Sequence, residues 1–377
     1  MKELKVLKAG YYVKYLMLAS IFTFKGWLIM AQPNLYIGTY TGSGSYGIYT
    51  AFFNAQNGSI TLLDSAKAHN PSYLAVDARR QMLYAVAEDA GTNPGAVGAF
   101  KIVGNSLQFI NQQPSGGDHP CYVAVHPNGK LIAVANYSGG NFSILPVQGP
   151  KGVGSKGQTI THQGNGPNAQ RQEKPHVHST IFSPDGKYLL VADLGTDMVT
   201  AYPIPKTSKA KLVEAGAFSV QVAPGAGPRH LAFHPKLPIV YLMEELSGKV
   251  SVMSWQPSRM QILQSVQADA QSATPGSADI HVSPDGRFVY ASNRADANSI
   301  SIFEVNTTNG YLKLVGTQSV LGLTPRNFVI HPGGKWLLVA NQNSNNIVVF
   351  ARNEQTGLLT PAGHTLKLPQ PVCLVFN

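Results

Sequence analysis

Apolar residues come in short runs separated by polar turns along this chain. A run such as 122–125 or 328–330 is followed by a Pro/Gly turn, then by a second run such as 131–135. A polar break and an alternating run such as 300–303 or 347–350 come next. These runs are rich in Val, Ile, Leu, Phe and Tyr and are too short and too alternating for helices, so they predict β-strands. The turns suit tight reversal, because Pro presets φ and Gly tolerates positive φ. With a weaker fourth run, each unit predicts a four-stranded antiparallel sheet.

The unit repeats. Its clearest copies are HPNGKLIAVAN (126–136), SPDGKYLLVAD (183–193), SPDGRFVYASN (283–293) and HPGGKWLLVAN (331–341), with degraded copies at 77–87 and 234–244. The second residue of each copy falls at 78, 127, 184, 235, 284 and 332, giving steps of 49, 57, 51, 49 and 48 residues. A tandem four-strand unit of about 50 residues predicts a β-propeller, which arranges its sheets radially. The N-terminal unit begins midway: 35–40 reads as a second strand, 47–53 as a third and 60–65 as a fourth. Its missing first strand is supplied by 371–376, whose Pro371 lies 46 residues after Pro325. The expected fold is therefore all-β: a seven-bladed propeller, 32–377, closed by the C-terminal strand in the N-terminal blade.

Composition adjusts this picture in three places. The 377 residues carry a formal charge of +10, but residues 1–31 hold five Lys against one Glu, leaving 24 basic and 18 acidic residues, or +6. No basic run or aromatic-interleaved stripe accompanies that excess, which argues against nucleic acid as a partner. Residues 1–31 themselves read as a secretory signal, with a Lys-bearing start, an apolar stretch 15–24 and a cut near Ala31 and Gln32. Lys25 interrupts the apolar run, so no stable membrane insertion is expected after processing, and the location is periplasmic or secreted. An uncleaved membrane-associated anchor is the alternative. Cys121 and Cys373 head different first strands and are expected as free buried thiols; no paired Cys/His spacing suggests a metal. No cofactor is expected either, and the chain reads as a monomer.

In a repeat protein, residues common to every unit serve the fold, and a site shows as polar residues that differ between units at one register. By that rule His126, His234 and His331 are turn residues. Asn136, Asp193, Asn293 and Asn341 are expected to bond nearby backbone. Two other registers vary. Six residues before each landmark stand Ser72, Cys121, His178, Arg229, Ala278 and Arg326. Ten after it stand Glu88, Tyr137, Leu194, Glu245, Arg294 and Gln342. In antiparallel neighbours the head of one strand lies beside the tail of the next, so both registers should face one mouth of the central channel. His178, Arg229, Glu245, Arg294 and Arg326 would converge there from four consecutive blades. The long step contains a Gly- and Asn-rich loop, 151–178, placed to form a lid or substrate contact through Arg171, Gln172 and His176.

RQEKPHVHS (171–179), GPRHLAFHP (227–235), Glu245-Leu246, ADIHVSPDGRFVYASNR (278–294) and YIGTYT (36–41) resemble the lactonase family of seven-bladed propellers, over essentially all of 34–377. That family includes propeller-type 6-phosphogluconolactonases and the related fungal carboxymuconate-lactonising enzyme. The resemblance implies catalytic or substrate-binding roles for His178, Arg229, Glu245 and Arg294; Arg171, Gln172, His176 and Arg326 are second-rank candidates for substrate contact, from their place in the loop and the register. It implies a small-molecule substrate, a lactone with an acidic substituent. His178 would serve as general base, and Glu245 would orient it or act as the base itself with a pKa raised by burial. The arginines would hold the acidic group or the developing oxyanion. Glu244 places a second carboxylate beside Glu245. Ring closure of a muconate-type diacid, or a non-catalytic binding role, are the alternatives.

Overall fold

A computed structural model describes residues 34–92, 94–155, 157–205 and 211–377; the expected signal segment 1–31 lies outside them. Among the described residues the chain forms seven four-stranded antiparallel sheets in succession. Blade 1 combines Pro371–Phe376 with Leu35–Thr39, Gly47–Phe53 and Ile60–Lys67, in that spatial order. Blades 2 to 7 open with first strands Leu74–Asp77, Pro120–Val125, Val177–Phe182, Pro228–Phe233, Ser277–Val282 and Pro325–Ile330. Each first strand lies against that of the next blade, and Pro371–Phe376 touches Leu74–Asp77, so the ring closes. The closing pair runs Leu35↔Phe376, Tyr36↔Val375 and Ile37↔Leu374. A two-way clasp extends it: Asn34 N–H donates to Asn377 Oδ1 (2.8 Å), and Asn377 N–H donates to Asn34 O (3.2 Å).

The second strand of each blade is buried on both faces, and successive side chains enter different cores. In Tyr188–Asp193, Leu189 and Val191 pack with blade 3, whereas Leu190 and Ala192 pack with blade 5. Period-two alternation thus shares one strand between two inter-blade cores, which is why these runs read as continuously apolar. The fourth strands explain their own faintness. Ile60–Lys67 sits at the outer edge, mostly exposed, with little apolar surface to bury.

A bulge at the head of the first strand places the site. In blades 3, 4, 5 and 7 the ladder skips a residue there: Cys121, His178, Arg229 and Arg326 are passed over between Pro120 and Tyr122, Val177 and Ser179, Pro228 and His230, and Pro325 and Asn327. Blade 6 skips both Ala278 and Asp279. A bulge leaves its extra residue outside the ladder and re-aims the side chain. The varying register is therefore the one freed from sheet pairing.

The constant registers serve the ring. His126 Nε2 bonds the Gly186 carbonyl of the next blade (2.8 Å), and His234 Nε2 bonds that of Gly286 (3.0 Å). His331 instead packs its ring on Phe53 and Phe376 of blade 1. The amides of Asn136, Asn293 and Asn341 bond the carbonyls of Ser115, Ala268 and Val320, pinning each incoming inter-blade connection. Cys121 and Cys373 are free and buried. The expected 151–178 loop is divided by a short strand, Gln158–Thr161, which pairs with Asn141–Pro146 as the outer strand of blade 3. Only the part beyond it crosses to the channel mouth.

Candidate active site

Both varying registers meet in a cavity of about 580 Å³ at one mouth of the channel. Its first wall comes from blades 4 to 6 and is organised by Glu245, which stands just past the strand Ile239–Glu244. Glu245 Oε1 accepts from Arg171 Nη2 at 2.6 Å. Its Oε2 accepts from Arg229 Nε at 2.8 Å and lies 3.2 Å from Arg294 Nη2. His178 Nε2 is 3.6 Å from the same Oε2. One buried carboxylate thus gathers three guanidiniums and an imidazole. Further anchors fix the arginines: Arg229 Nη1 donates to Ala278 O (2.6 Å), Arg294 Nε to Gly276 O (2.5 Å), and Arg171 Nη2 to Tyr137 Oη (3.1 Å).

The second wall comes from blades 7, 1 and 2. Arg326 lays its guanidinium over the Tyr40 ring, 5.5 Å from the centroid. The Tyr40 hydroxyl donates to Glu88 Oε2 at 3.0 Å, and Ser72 Oγ donates to the same oxygen. Cys121 lies at the pocket's base, its Sγ 3.8 Å from His178 Nδ1 and 3.3 Å from the His178 carbonyl.

Electrostatics assign protonation states. Burial alone would raise the Glu245 carboxyl, but the guanidiniums of Arg294, Arg229 and Arg171 together hold it well below the ordinary carboxylate range. This corrects the expectation of a Glu245 base activated by burial: the carboxylate is ionised and saturated with cations. Burial, reinforced by Arg229, holds His178 well below the ordinary imidazole range, so it is neutral. Burial also pushes Arg294 down to about 10, against the pull of Glu245. The Cys121 thiol is pushed up, first by burial and then by Glu88, which leaves it protonated and a poor nucleophile. Glu244 points away from the pocket. Ser251 Oγ (2.5 Å) and Ser247 Oγ (2.6 Å) donate to it, and burial raises its carboxyl. It takes no part in the cluster around Glu245.

The structure brings His178, Glu245, Arg294, Arg171 and Arg326 to one cavity. Arg229 lies behind them, 1% exposed, beside a narrow throat that it shares with Cys121 and Arg326. Gln172 and His176 are placed elsewhere. Gln172 is fully enclosed, its Nε2 donating to Leu194 O and Asp197 Oδ1 (both 2.8 Å) while its Oε1 accepts from Asn168 N. It folds the loop that carries Arg171. His176 stacks on Tyr137 (centroids 4.5 Å apart) and bonds Glu173, supporting the wall from outside. Tyr40 and the 274–276 segment also line the cavity, and neither was singled out in the sequence. Tyr40 follows its second strand as Glu88 follows the next, but blade 1 lacks the landmark phrase that reveals the register. A second network was equally hidden. His230 Nδ1 bonds Asp279 Oδ1 (2.7 Å), and Asp279 Oδ2 accepts from His281 Nε2 (2.9 Å) and Asn327 Nδ2 (2.5 Å) within the channel.

A closed ring of seven blades with a basic, ligand-sized cavity at one mouth defines the class, a seven-bladed propeller with a small-molecule site. The chain belongs to the lactonase family of seven-bladed β-propellers, whose family model matches residues 34–376. A 6-phosphogluconolactonase of Bacillus subtilis is 38% identical over 349 residues, covering 90% of this chain and 97% of its own length. One from Formosa agariphila is 37% identical over 349 residues, with coverage of 91% and 97%. The solved structure of a periplasmic gluconolactonase from Pseudomonas aeruginosa aligns with a TM-score of 0.86 at 35% identity, covering 91% of this chain and 98% of that one.

Proposed function

We propose that this protein hydrolyses a sugar-derived lactone carrying an acidic substituent, by water attack at the cavity built around Glu245. The carrying observation is the convergence of Arg171, Arg229 and Arg294 on Glu245 with neutral His178 beside it. Counting Arg229 behind the cavity and Arg326, four guanidiniums surround two carboxylates, Glu245 and Glu88, leaving a surplus of two positive charges for an anion. A phosphate monoester, at about −1.5 to −2, matches that surplus.

In this reading His178 takes a proton from the attacking water as hydroxide adds to the lactone carbonyl. Arg171 and Arg294, which line the cavity, stabilise the resulting oxyanion. The imidazolium formed is a strong acid, because its surroundings disfavour charge. It returns the proton to the ring oxygen as the C–O bond breaks, leaving a hydroxy acid. Glu245 keeps the arginines in register and offsets the transient charge on His178. Thiol attack by Cys121 is disfavoured by its raised pKa.

The test is lactone opening by purified protein, followed in a pH-stat with glucono-δ-lactone and its 6-phosphate. We expect acceleration over buffer that His178→Ala removes. A wild-type rate equal to buffer on both lactones would dismiss the hydrolase reading.

A periplasmic or secreted location for a monomeric mature chain 32–377 belongs to the same proposal. The signal-like composition of 1–31 and the periplasmic relative support it. No helix among the described residues is long and apolar enough to cross a membrane. Fractionation of cells with the mature protein confined to the cytoplasm would count against it.

A further inference from the structure

The two walls of the cavity differ in how their charges are used. On the Glu245 wall every charged group contacts an opposite charge. On the other wall, a carboxylate and a guanidinium border the same space without forming an ion pair among the described residues. Arg326 rests on the Tyr40 ring and makes no hydrogen bond within the described protein. Glu88 has both its donors, Tyr40 Oη and Ser72 Oγ, on one oxygen, Oε2. That arrangement fixes the carboxylate plane and leaves Oε1 for the cavity. A structural ion pair would have closed the gap. The pair as built presents an acceptor and a fork of donors side by side, which suits a ligand bearing both hydroxyls and an acid group.

Resting on the lactonase reading above, we propose that Glu88 is the specificity-determining residue of this cavity. It accepts hydrogen bonds from the hydroxyls of a polyhydroxylated chain, while Arg326 holds the chain's acidic end. The substrate class is then a sugar lactone acid, and hydroxyl-free diacids of the muconate type are rejected. Such a diacid offers Glu88 no donor. It would leave Glu88 Oε1 without a donor next to a second negative charge, and a site left with an unpaired polar group discriminates strongly. Tyr40 acts through Glu88 as a positioning residue.

Calorimetric binding of two non-hydrolysable probes tests this directly. Gluconate 6-phosphate and 6-phosphohexanoate share length and both acid groups and differ only in the chain hydroxyls. Wild-type protein is expected to prefer the hydroxylated probe by about 100-fold. Glu88→Gln, which exchanges a charged acceptor for a neutral one, should shrink that preference about tenfold. Tyr40→Phe should shrink it by less. Arg326→Gln should weaken both probes by similar factors and leave their ratio unchanged. A preference unaltered in a folded Glu88→Gln protein, or equal binding of the two probes by the wild type, overturns the assignment. The measurement needs no turnover, so it is separable from the hydrolysis claim. Lactone opening with an unaltered Glu88→Gln preference removes only the role of Glu88. The expected selectivity without lactone opening removes only the hydrolase reading.

Discussion

Glu245 and His178 carry the account at the scale of single residues. Removing the Glu245 charge leaves Arg171, Arg229 and Arg294 crowded without their common partner, so Glu245→Gln should cut kcat/KM by about 10²–10³. Breaking a buried charge pair also costs stability, about 3–5 kcal/mol, which a denaturant titration would detect. His178 is held neutral by burial and Arg229, so kcat/KM should stay level between pH 8 and 6 and fall only well below the ordinary imidazole range. Arg229→Gln removes a neighbouring positive charge and should move that acid limb upward, towards pH 6.5, in the remaining activity. Cys121→Ala should keep kcat within about threefold of wild type, because loss of a nucleophile would instead cost several orders of magnitude. The identities of these residues were legible in the sequence, since subtracting the repeat exposes positions that vary. Their division of labour was not. Whether Glu245 is a base or an anchor depends on which guanidiniums lie within 3 Å or so of it, and those come from three blades.

Elements set where such residues can stand. The strand runs and turns were readable because period-two alternation and Pro/Gly punctuation are local properties. The bulges at Cys121, His178, Arg229 and Arg326 were not, because skipping a residue is a relation between two strands. The same limit hid Gln158–Thr161, where Ile160 alone turns to the core and the surrounding Gly-rich composition reads as loop. Inter-blade packing should dominate stability. Leu190→Ala, in the core between blades 4 and 5, should lower unfolding free energy by about 2–5 kcal/mol while leaving kcat per folded molecule unchanged. Equal loss of kcat and stability in urea-titrated and kinetically assayed samples would mean that this core reaches the site.

At the largest scale the blades form a closed ring, and its closure and its channel govern its response to conditions. His230, beside Asp279 in the channel, is lowered to about 4 by burial and by Arg229. An unfolded histidine binds its proton near pH 6.5, so between about pH 6.5 and 4 the unfolded state takes up protons that the folded state refuses. Stability should therefore fall as pH drops through that window, by an amount on the order of 3 kcal/mol from this group, and His230→Gln should lessen the decline in urea midpoints, His178 supplying the remainder. The central claim, that the cavity at one mouth binds and opens a lactone acid, is met most directly by a crystal structure with gluconate 6-phosphate bound. The account predicts one acid group on Arg326, hydroxyls within hydrogen-bond reach of Glu88, and the carboxylate formed from the lactone between His178 and Arg294. A ligand seated at the opposite mouth, or a cavity left empty at saturating ligand, would contradict it.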